Sequence, residues 1–254
     1  METELYIKRG FKKNMDCLIC KTKTETIKAK VNPFVAERMY LDKPPEIFLN
    51  ICFSCGFKFY SPRPNEKELK RLYTGYRDEK YQKDRQKYDL WYTKTLNKNL
   101  GYHPIQIETK IKNMMTFLRG HKIKSVLDYG GDRGQFMPEA PIRYVFDISG
   151  DKPINGIKEW KGTPKKFDLV IISHLLEHLS NPQLLFKKLR NLGKIFYIEV
   201  PAKGPTYIDG TSIMHEHINF FTPKSLNIMT GGRFKIRNLD FGFCKYKVVC
   251  GLVI

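Results

Sequence analysis

Four cysteines stand in two C-x-x-C pairs, Cys17-Leu-Ile-Cys20 and Cys52-Phe-Ser-Cys55. Two residues between thiolates let one tight turn present two corners of a tetrahedron, so the pairs together can close a four-thiolate zinc site. Gly56 after the second pair supplies the backbone freedom such a turn often needs. A site of this kind has no open position, and its work is to hold a fold. Two other chemistries share the spacing. Paired disulfides belong in an oxidising compartment. A redox dithiol belongs at the strand-to-helix junction of a βαβ unit, where neither pair lies. Structural zinc is favoured over both.

A second constellation is Asp128-Tyr-Gly130-Gly131-Asp132-Arg-Gly134. Glycines in a turn after a strand let backbone amides approach a ligand with no Cβ in the way. Asp147 ends the next apolar run, nineteen residues on, where a carboxylate can accept both hydroxyls of a ribose. Two histidine segments follow, His174-Leu-Leu-Glu177-His178 and His215-Glu216-His217. The first has the H-x-x-E-H spacing of a zinc peptidase, but His174 directly follows a buried strand, so the segment begins as a loop; that reading is set aside. For His178 a hydrogen-bonded structural role and a pocket role stay open. In the second segment, alternate residues of an extended chain face opposite ways, so one histidine faces any one site. His217 is taken to face it, with Glu216 bonded nearby.

These residues need elements to hold them. Short apolar strands are expected at 124–128, 143–148, 167–173 and 194–200, with a poorly marked one near 154–160. A helix is expected after the glycine-rich turn, and another after Asn181-Pro182, ended by Gly193. Two antiparallel strands, 233–237 and 246–253, should close the chain. Strand and helix alternating imply a largely parallel α/β sheet covered on both faces. Cys244 and Cys250 share strand parity and read as small core residues. Ahead of this, residues 65–123 read as a helical link. Asn65 caps its first helix; Tyr73, Tyr76 and Tyr81 either pack or wall a pocket. Ile107, Ile111, Met114, Met115 and Leu118 form one stripe expected to be buried. The expected division is 1–64, 65–123 and 124–254.

Composition narrows the class. With 41% hydrophobic and 13% aromatic residues in 254, the chain can build a core and is not disordered. It has no run of about 20 apolar residues and no secretory leader, so a cytoplasmic location is expected. The net charge is +19, and residues 1–124 hold 27 basic against 14 acidic side chains. Such an excess can attract nucleic acid, an anionic membrane or a phosphorylated small molecule. The lysines are scattered, which weakens the nucleic-acid case.

LDYGGDRGQF, FDIS, FDLVIISHLLEHLSNP, IFYIEVP and HEHINFFTPKSL, in that order, resemble the motifs of class I S-adenosylmethionine-dependent methyltransferases. With the two C-x-x-C pairs and FYSPRPNEKELKRLY, the chain is most similar to the branch with an N-terminal zinc-ribbon-like module, which includes C-methyltransferases of nucleotide-linked deoxysugars and relatives from surface-polysaccharide pathways. The resemblance implies a Rossmann-like sheet preceded by a small zinc module. It implies S-adenosylmethionine and zinc as cofactors and a small, phosphate-bearing acceptor. Asp128, Gly130, Gly131 and Gly134 would surround the methionine part of the cofactor and Asp147 the ribose. Ser173 and His174 would lie beside the donor. Glu216 and His217 match the family's active-site pair, so His217 is the expected base, Glu216 its partner and His174 the second choice. Asp132 stands where the family has its middle glycine. Two rival readings remain: a nucleic-acid enzyme or binder using the basic zinc module, and a non-catalytic scaffold with a methyltransferase fold.

Overall fold

The computed structural model describes residues 12–163, 165–241 and 246–253. Two sheets organise it. The front elements are β1 (Lys12–Asp16), β2 (Lys23–Val31), α1 (Pro33–Tyr40), β3 (Ile47–Ile51) and β4 (Lys58–Ser61). The link forms four helices: α2 (Glu66–Tyr73), α3 (Glu79–Gln86), α4 (Lys94–Asn99) and α5 (Pro104–Phe117). Then come β5 (Ser125–Tyr129), β6 (Ile142–Phe146), β7 (Lys158–Glu159), β8 (Phe167–Ser173), a 3-10 turn at Leu176–His178, α6 (Pro182–Leu189) and β9 (Gly193–Pro201). The chain ends through β10 (Thr206–Ile208), β11 (Thr211–Met214), β12 (Asn219–Phe220), α7 (Pro223–Met229), β13 (Phe234–Phe241) and β14 (Tyr246–Val253).

The back sheet has the order β13-β14-β9-β8-β5-β6-β7. From β7 to β9 its strands are parallel, and β14 enters antiparallel between β9 and β13. The chain leaves β5 toward β6 and returns on its other side as β8. That reversal opens a crevice at the carboxyl ends of β5 and β8, where ligands bind in such sheets. Alternation along the strands supplies two cores. Val126, Leu169, Ile171 and Tyr197 pack with Met114 and Leu118 of α5 and the residue after it. Leu127, Val170, Ile172 and Ile198 pack on the other side with Phe186, Leu226 and the cysteine-bearing turns.

Three features differ from the expected layout. No helix follows the glycine-rich turn; residues 130–141 run through turns directly into β6. Pro138 and Pro141 remove backbone donors and push the residues before them out of helical geometry. The α5 stripe is only partly buried. Met114 and Leu118 are in the core, Ile107 and Ile111 are half-buried, and Met115 is 48% exposed. Without a neighbouring helix between β5 and β6, only the end of α5 meets the sheet. Finally, the front sheet crosses the boundary expected at residue 64. β11 pairs parallel with β2, Ser212 opposite Ala29, and β12 pairs with β4, Asn219 opposite Phe59. The Tyr60 hydroxyl lies 2.7 Å from Ser212 Oγ and donates to the Ile213 carbonyl. The buried Arg63 guanidinium donates to the carbonyls of Leu179, Ser180 and Ile218 and to Asn219 Oδ1. These bonds tie the front to the back at the level of the 3-10 turn. Cys244 lies outside the described residues, as does the Cys250 side chain; Cys250 pairs through its backbone with Glu199.

The cysteines form two near-identical knuckles. The Cys17 amide donates to Thr22 O and Lys21 N to Cys17 O; in the second, Cys52 N donates to Phe57 O and Gly56 N to Cys52 O. The sulfurs lie 3.7 Å (Cys17–Cys55), 3.4 Å (Cys20–Cys52) and 3.5 Å (Cys52–Cys55) apart. Zn–S bonds of about 2.3 Å at tetrahedral angles put sulfurs about 3.8 Å apart, whereas a disulfide needs about 2.05 Å. All four are free thiols, so this donor set fits zinc and not bridges. Gly56 has φ +74°, and the equivalent place in the first knuckle is held by Lys21 at φ +65°. A side chain there costs about 1–2 kcal/mol, part of which the freer unfolded glycine chain takes back. Lys21→Gly should therefore raise Tm by about 1–3 °C, read by a thermal melt of the zinc-loaded protein.

Candidate active site

The glycine-rich turn lies at the carboxyl end of β5. Gly130 (φ +78°) and Gly134 (φ +82°) take the left-handed conformation. A Cβ on Gly130 would stand 2.8 Å from the Leu175 side chain, and one on Gly131 would stand 2.1 Å from Asp128 Cγ. Asp128 is 2% exposed and is pushed up to about 7, by burial first and then by the negative charge of Asp147. Asp147 follows β6 and accepts from the Asp132 amide and the Ser149 amide, each at 2.8 Å. Its carboxylate thus clamps the turn to the neighbouring strand. Asp132 holds φ +54°, but its side chain is drawn off toward the helical link. Tyr102 donates to it at 2.5 Å, Gln135 at 3.2 Å, and an Arg77 nitrogen lies 3.9 Å away. The acid that replaces the middle glycine is therefore partnered within the protein. Gly131→Ala, by contrast, forces the buried Asp128 carboxylate to move. We expect cofactor affinity to fall about tenfold or more, which corresponds to about 1.4 kcal/mol, measured by calorimetry.

β8 ends at Ser173, and the chain turns sharply at His174, whose φ of +52° is strained for a non-glycine residue. What holds it there is a buried carboxylate network. His174 Nδ1 lies 3.3 Å from Glu177 Oε1 and Nε2 lies 3.0 Å from Glu199 Oε1. Glu199 also meets Lys110 Nζ at 3.0 Å and accepts from Ser173 Oγ at 3.1 Å and the Tyr197 hydroxyl at 2.7 Å. Burial and Lys110 push the His174 pKa down, but the facing Glu177 and Glu199 carboxylates outweigh them and raise it. Both ring nitrogens face carboxylates, so His174 is built to carry a proton rather than to take one from an acceptor. The expected donor-side pair, Ser173 and His174, is thus joined by Glu199 and Lys110, which the motif reading left without a role. The visible signal was a carboxylate in the apolar run Ile195-Phe-Tyr-Ile-Glu199-Val.

The 3-10 turn and the segment after β11 bring the other residues together. Glu177, His178 and His217 present ligand atoms all within 4.8 Å of one another. The two imidazoles meet edge to face, centroids 4.7 Å apart. His178 Nδ1 lies 2.6 Å from the Tyr73 hydroxyl and 3.1 Å from the Glu216 carbonyl. Burial, then the neighbouring His178, lowers the His217 pKa to about 4, so its ring is neutral near pH 7. Glu177 is pulled down to about 2: burial opposes its charge, but His174 and His178 override that. The Glu216 carboxylate is held by Arg85 and lies 3.5 Å from the Tyr81 hydroxyl. It belongs to the wall formed by the link, while Glu216's carbonyl reaches the histidines. Tyr73, Tyr76 and Tyr81 stack edge to face along that wall. They both pack and line the site. Tyr73 is already open to a pocket role in the sequence, whereas Arg77 and Arg85 could be recognised as site residues only once the link folded over the sheet.

The strand order, the switch-point crevice and the glycine turn define a class I methyltransferase fold. Residues 106–230 match a family described as a methyltransferase domain. Over that stretch, just under half of its length, the chain carries a methyltransferase domain, and the activity this supports is that of an S-adenosylmethionine-dependent methyltransferase. A search of curated proteins found no match. Among solved structures, the N-terminal domain of EvdMO1 with S-adenosylhomocysteine bound is 14% identical, covering 58% of this chain and 81% of that one, with a TM-score of 0.38. Magnesium protoporphyrin IX methyltransferase from Synechocystis is 15% identical, over 59% and 82%, with a TM-score of 0.39. The N-methyltransferase NodS from Bradyrhizobium japonicum is 11% identical, over 60% and 97%, at 0.40. Among the described residues, no helix is long and apolar enough to cross a membrane.

Proposed function

We propose that the protein transfers a methyl group from S-adenosylmethionine to a small, phosphate-bearing acceptor such as a nucleotide-linked sugar. The observation that carries this reading is the meeting of two sites. Leu175 packs on Gly130 of the donor turn, and two residues later Glu177 enters the cluster with His178 and His217. A donor held by the turn would face an acceptor held against the histidines and the tyrosine wall. Asp128, Gly130, Gly131 and Gly134 would hold the methionine part and Asp147 the ribose. S-adenosylmethionine supplies an electrophilic methyl on a sulfonium. The protein's part is to hold the acceptor in line at about 3 Å and to receive the acceptor's proton. We assign that end to the Glu177–His178–His217 cluster, with His217 offering an unprotonated ring nitrogen. His174 and Glu216 are positioning residues, the first through Glu177 and the second through Arg85. The excess of basic side chains in the front half supports an anionic acceptor.

The test is methyl-labelled donor offered to nucleotide-linked sugars, phosphorylated sugars and structured RNA in parallel. Label in a sugar fraction supports the reading. Label in RNA alone, with binding that falls steeply with salt, would replace it with the nucleic-acid one. The state of Asp128 gives a second check. A cationic cofactor favours its carboxylate, so binding must expel a proton below about pH 7. Affinity should fall toward tenfold for each pH unit below that value, with proton release seen as a buffer-dependent binding heat. A flat affinity from pH 5.5 to 8 would separate Asp128 from the cofactor.

A further inference from the structure

Glu177 is 1% exposed, yet beyond the 3.3 Å contact with His174 Nδ1 neither of its carboxylate oxygens has a hydrogen-bond donor. An ionised carboxylate without donors is costly to bury. The nearest cationic group, His174 Nδ1, stands 3.3 Å from Oε1 and shares its ring with Glu199; His178 Nε2 stands 3.9 Å away. Beyond the His174 ion pair the carboxylate has no close donor, and it lies beside the His178 and His217 imidazoles.

We infer that Glu177, His178 and His217 form a binding site for a first-row divalent cation beside the methyl donor. Two imidazoles and one carboxylate on one side of an ion make a three-ligand site that leaves positions open. Their ligand atoms lie within 4.8 Å of one another. An ion about 2.1 Å from each would draw them to about 3.4 Å, a closure of about 1 Å or a little more that side-chain rotation can supply. The outer contacts fit too. A ligating histidine normally gives its other ring N–H to a carbonyl or carboxylate. In the tautomer with Nδ1 protonated, that N–H of His178 is directed at the Glu216 carbonyl (3.1 Å) and the Tyr73 hydroxyl oxygen, and Nε2 keeps its lone pair for an ion. Tyr73, whose hydroxyl is 2.6 Å from the same nitrogen, fixes the ring from the other side. The 3-10 turn is itself pinned, since Ile218 N donates to the Glu177 carbonyl. This site is chemically unlike the cysteine site: its donors are nitrogen and oxygen, and its open positions suit acceptor oxygens.

The inference deepens the proposed function, on which its catalytic meaning rests: the ion would take the His217 nitrogen that receives the acceptor's proton in the ion-free site and would bind the acceptor oxygen, whose proton would then leave to solvent. Ion binding itself does not depend on that reading. The test titrates the full, zinc-loaded protein with Mn²⁺, followed by loss of the free-ion resonance, and with Zn²⁺, counted beyond the ion the cysteines hold. Glu177→Gln and His217→Ala are compared with wild type, and S-adenosylmethionine binding and the melt report folding. We expect one added ion per chain in wild type, and at least tenfold weaker binding in variants that still melt cooperatively. Failure of wild type to take up either ion, or equal uptake by the variants, overturns the inference. If a variant fails to fold, Tyr73→Phe, which keeps the ring but loses the hydroxyl, is expected to weaken uptake several-fold; unchanged uptake then counts against the site. Ion uptake without any binding of S-adenosylmethionine would leave this site standing and remove the methyl-transfer reading.

Discussion

Cys55→Ser is expected to destabilise the whole chain, not to release a loose front arm. Cys17, Cys52 and Cys55 are at most 2% exposed and share one core with Phe57, Val170, Ile172 and Leu226. The Thr222 hydroxyl, which caps α7, donates to the Cys55 carbonyl at 2.6 Å, and Gln183 of α6 donates to the Ile19 carbonyl. Zinc held by such a site contributes about 10 kcal/mol or more to folding, comparable with the entire stability of an ordinary domain at about 5–15 kcal/mol. Losing one thiolate should therefore lower Tm by well over 10 °C or leave the protein insoluble. It should abolish cofactor binding at 37 °C although the cofactor turn is on another element. Prolonged chelation should do the same to wild type. A zinc-free sample that melted within about 2 °C of the loaded one, with cofactor binding intact, would show that the knuckles are an appendage.

His217→Ala is expected to cut turnover by about 10²- to 10⁴-fold, the range for loss of a group that manages a proton in the transition state. Affinity for S-adenosylmethionine should stay within a factor of about two, since His217 belongs to the acceptor-side cluster with Glu177 and His178. The split between kcat and cofactor binding is the readout that a structural role would not produce. A further sign follows from its depressed pKa of about 4: the ring is already neutral at pH 5.5, so wild-type turnover should show no loss near pH 6.5 that traces to this histidine. Turnover unchanged in the variant would take His217 out of the mechanism. His174→Ala should behave differently. It removes the bridge between Glu177 and Glu199, leaving two buried carboxylates facing each other, so stability should fall along with activity.

Local signals in the sequence located much of this arrangement. Asn65, Asn181 and Thr222 cap α2, α6 and α7 with the side-chain bonds their types imply, and the last two precede a proline at the first helical turn. The strand before Gly130, the apolar run to Ser173 and the closing antiparallel pair were legible from periodicity. The cysteine spacing was legible too, although a lysine fills the left-handed place in the first knuckle. What local pattern does not carry is pairing between distant segments. Nothing in residues 206–220 marks them as strands of the front sheet, because their partners lie about 150 or more residues earlier. The isolated charges Arg63 and Glu199 look ordinary in sequence and acquire roles only from carbonyls and side chains brought in by folding. The helix expected after the glycine turn is a different case. The expectation rests on the usual strand–turn–helix unit, and Pro138 and Pro141 are the residues that defeat it. Glu177 and His178 show the reverse. Their spacing alone is that of metal ligands, but in a peptidase pattern whose helix is absent here, and the third ligand, His217, is 39 residues beyond His178.

Methyl transfer by this protein depends most on the turn at Gly130–Gly134 holding an adenosyl sulfonium with Asp132 drawn aside by Tyr102 and Gln135. Calorimetry of the zinc-loaded protein with S-adenosylmethionine, repeated with S-adenosylhomocysteine, tests it directly. We expect one site per chain for each ligand with a dissociation constant at or below about 100 μM, corresponding to about 5.5 kcal/mol, and a raised Tm. No binding heat and no thermal shift with either compound, in a sample shown to be folded and zinc-loaded, would contradict it.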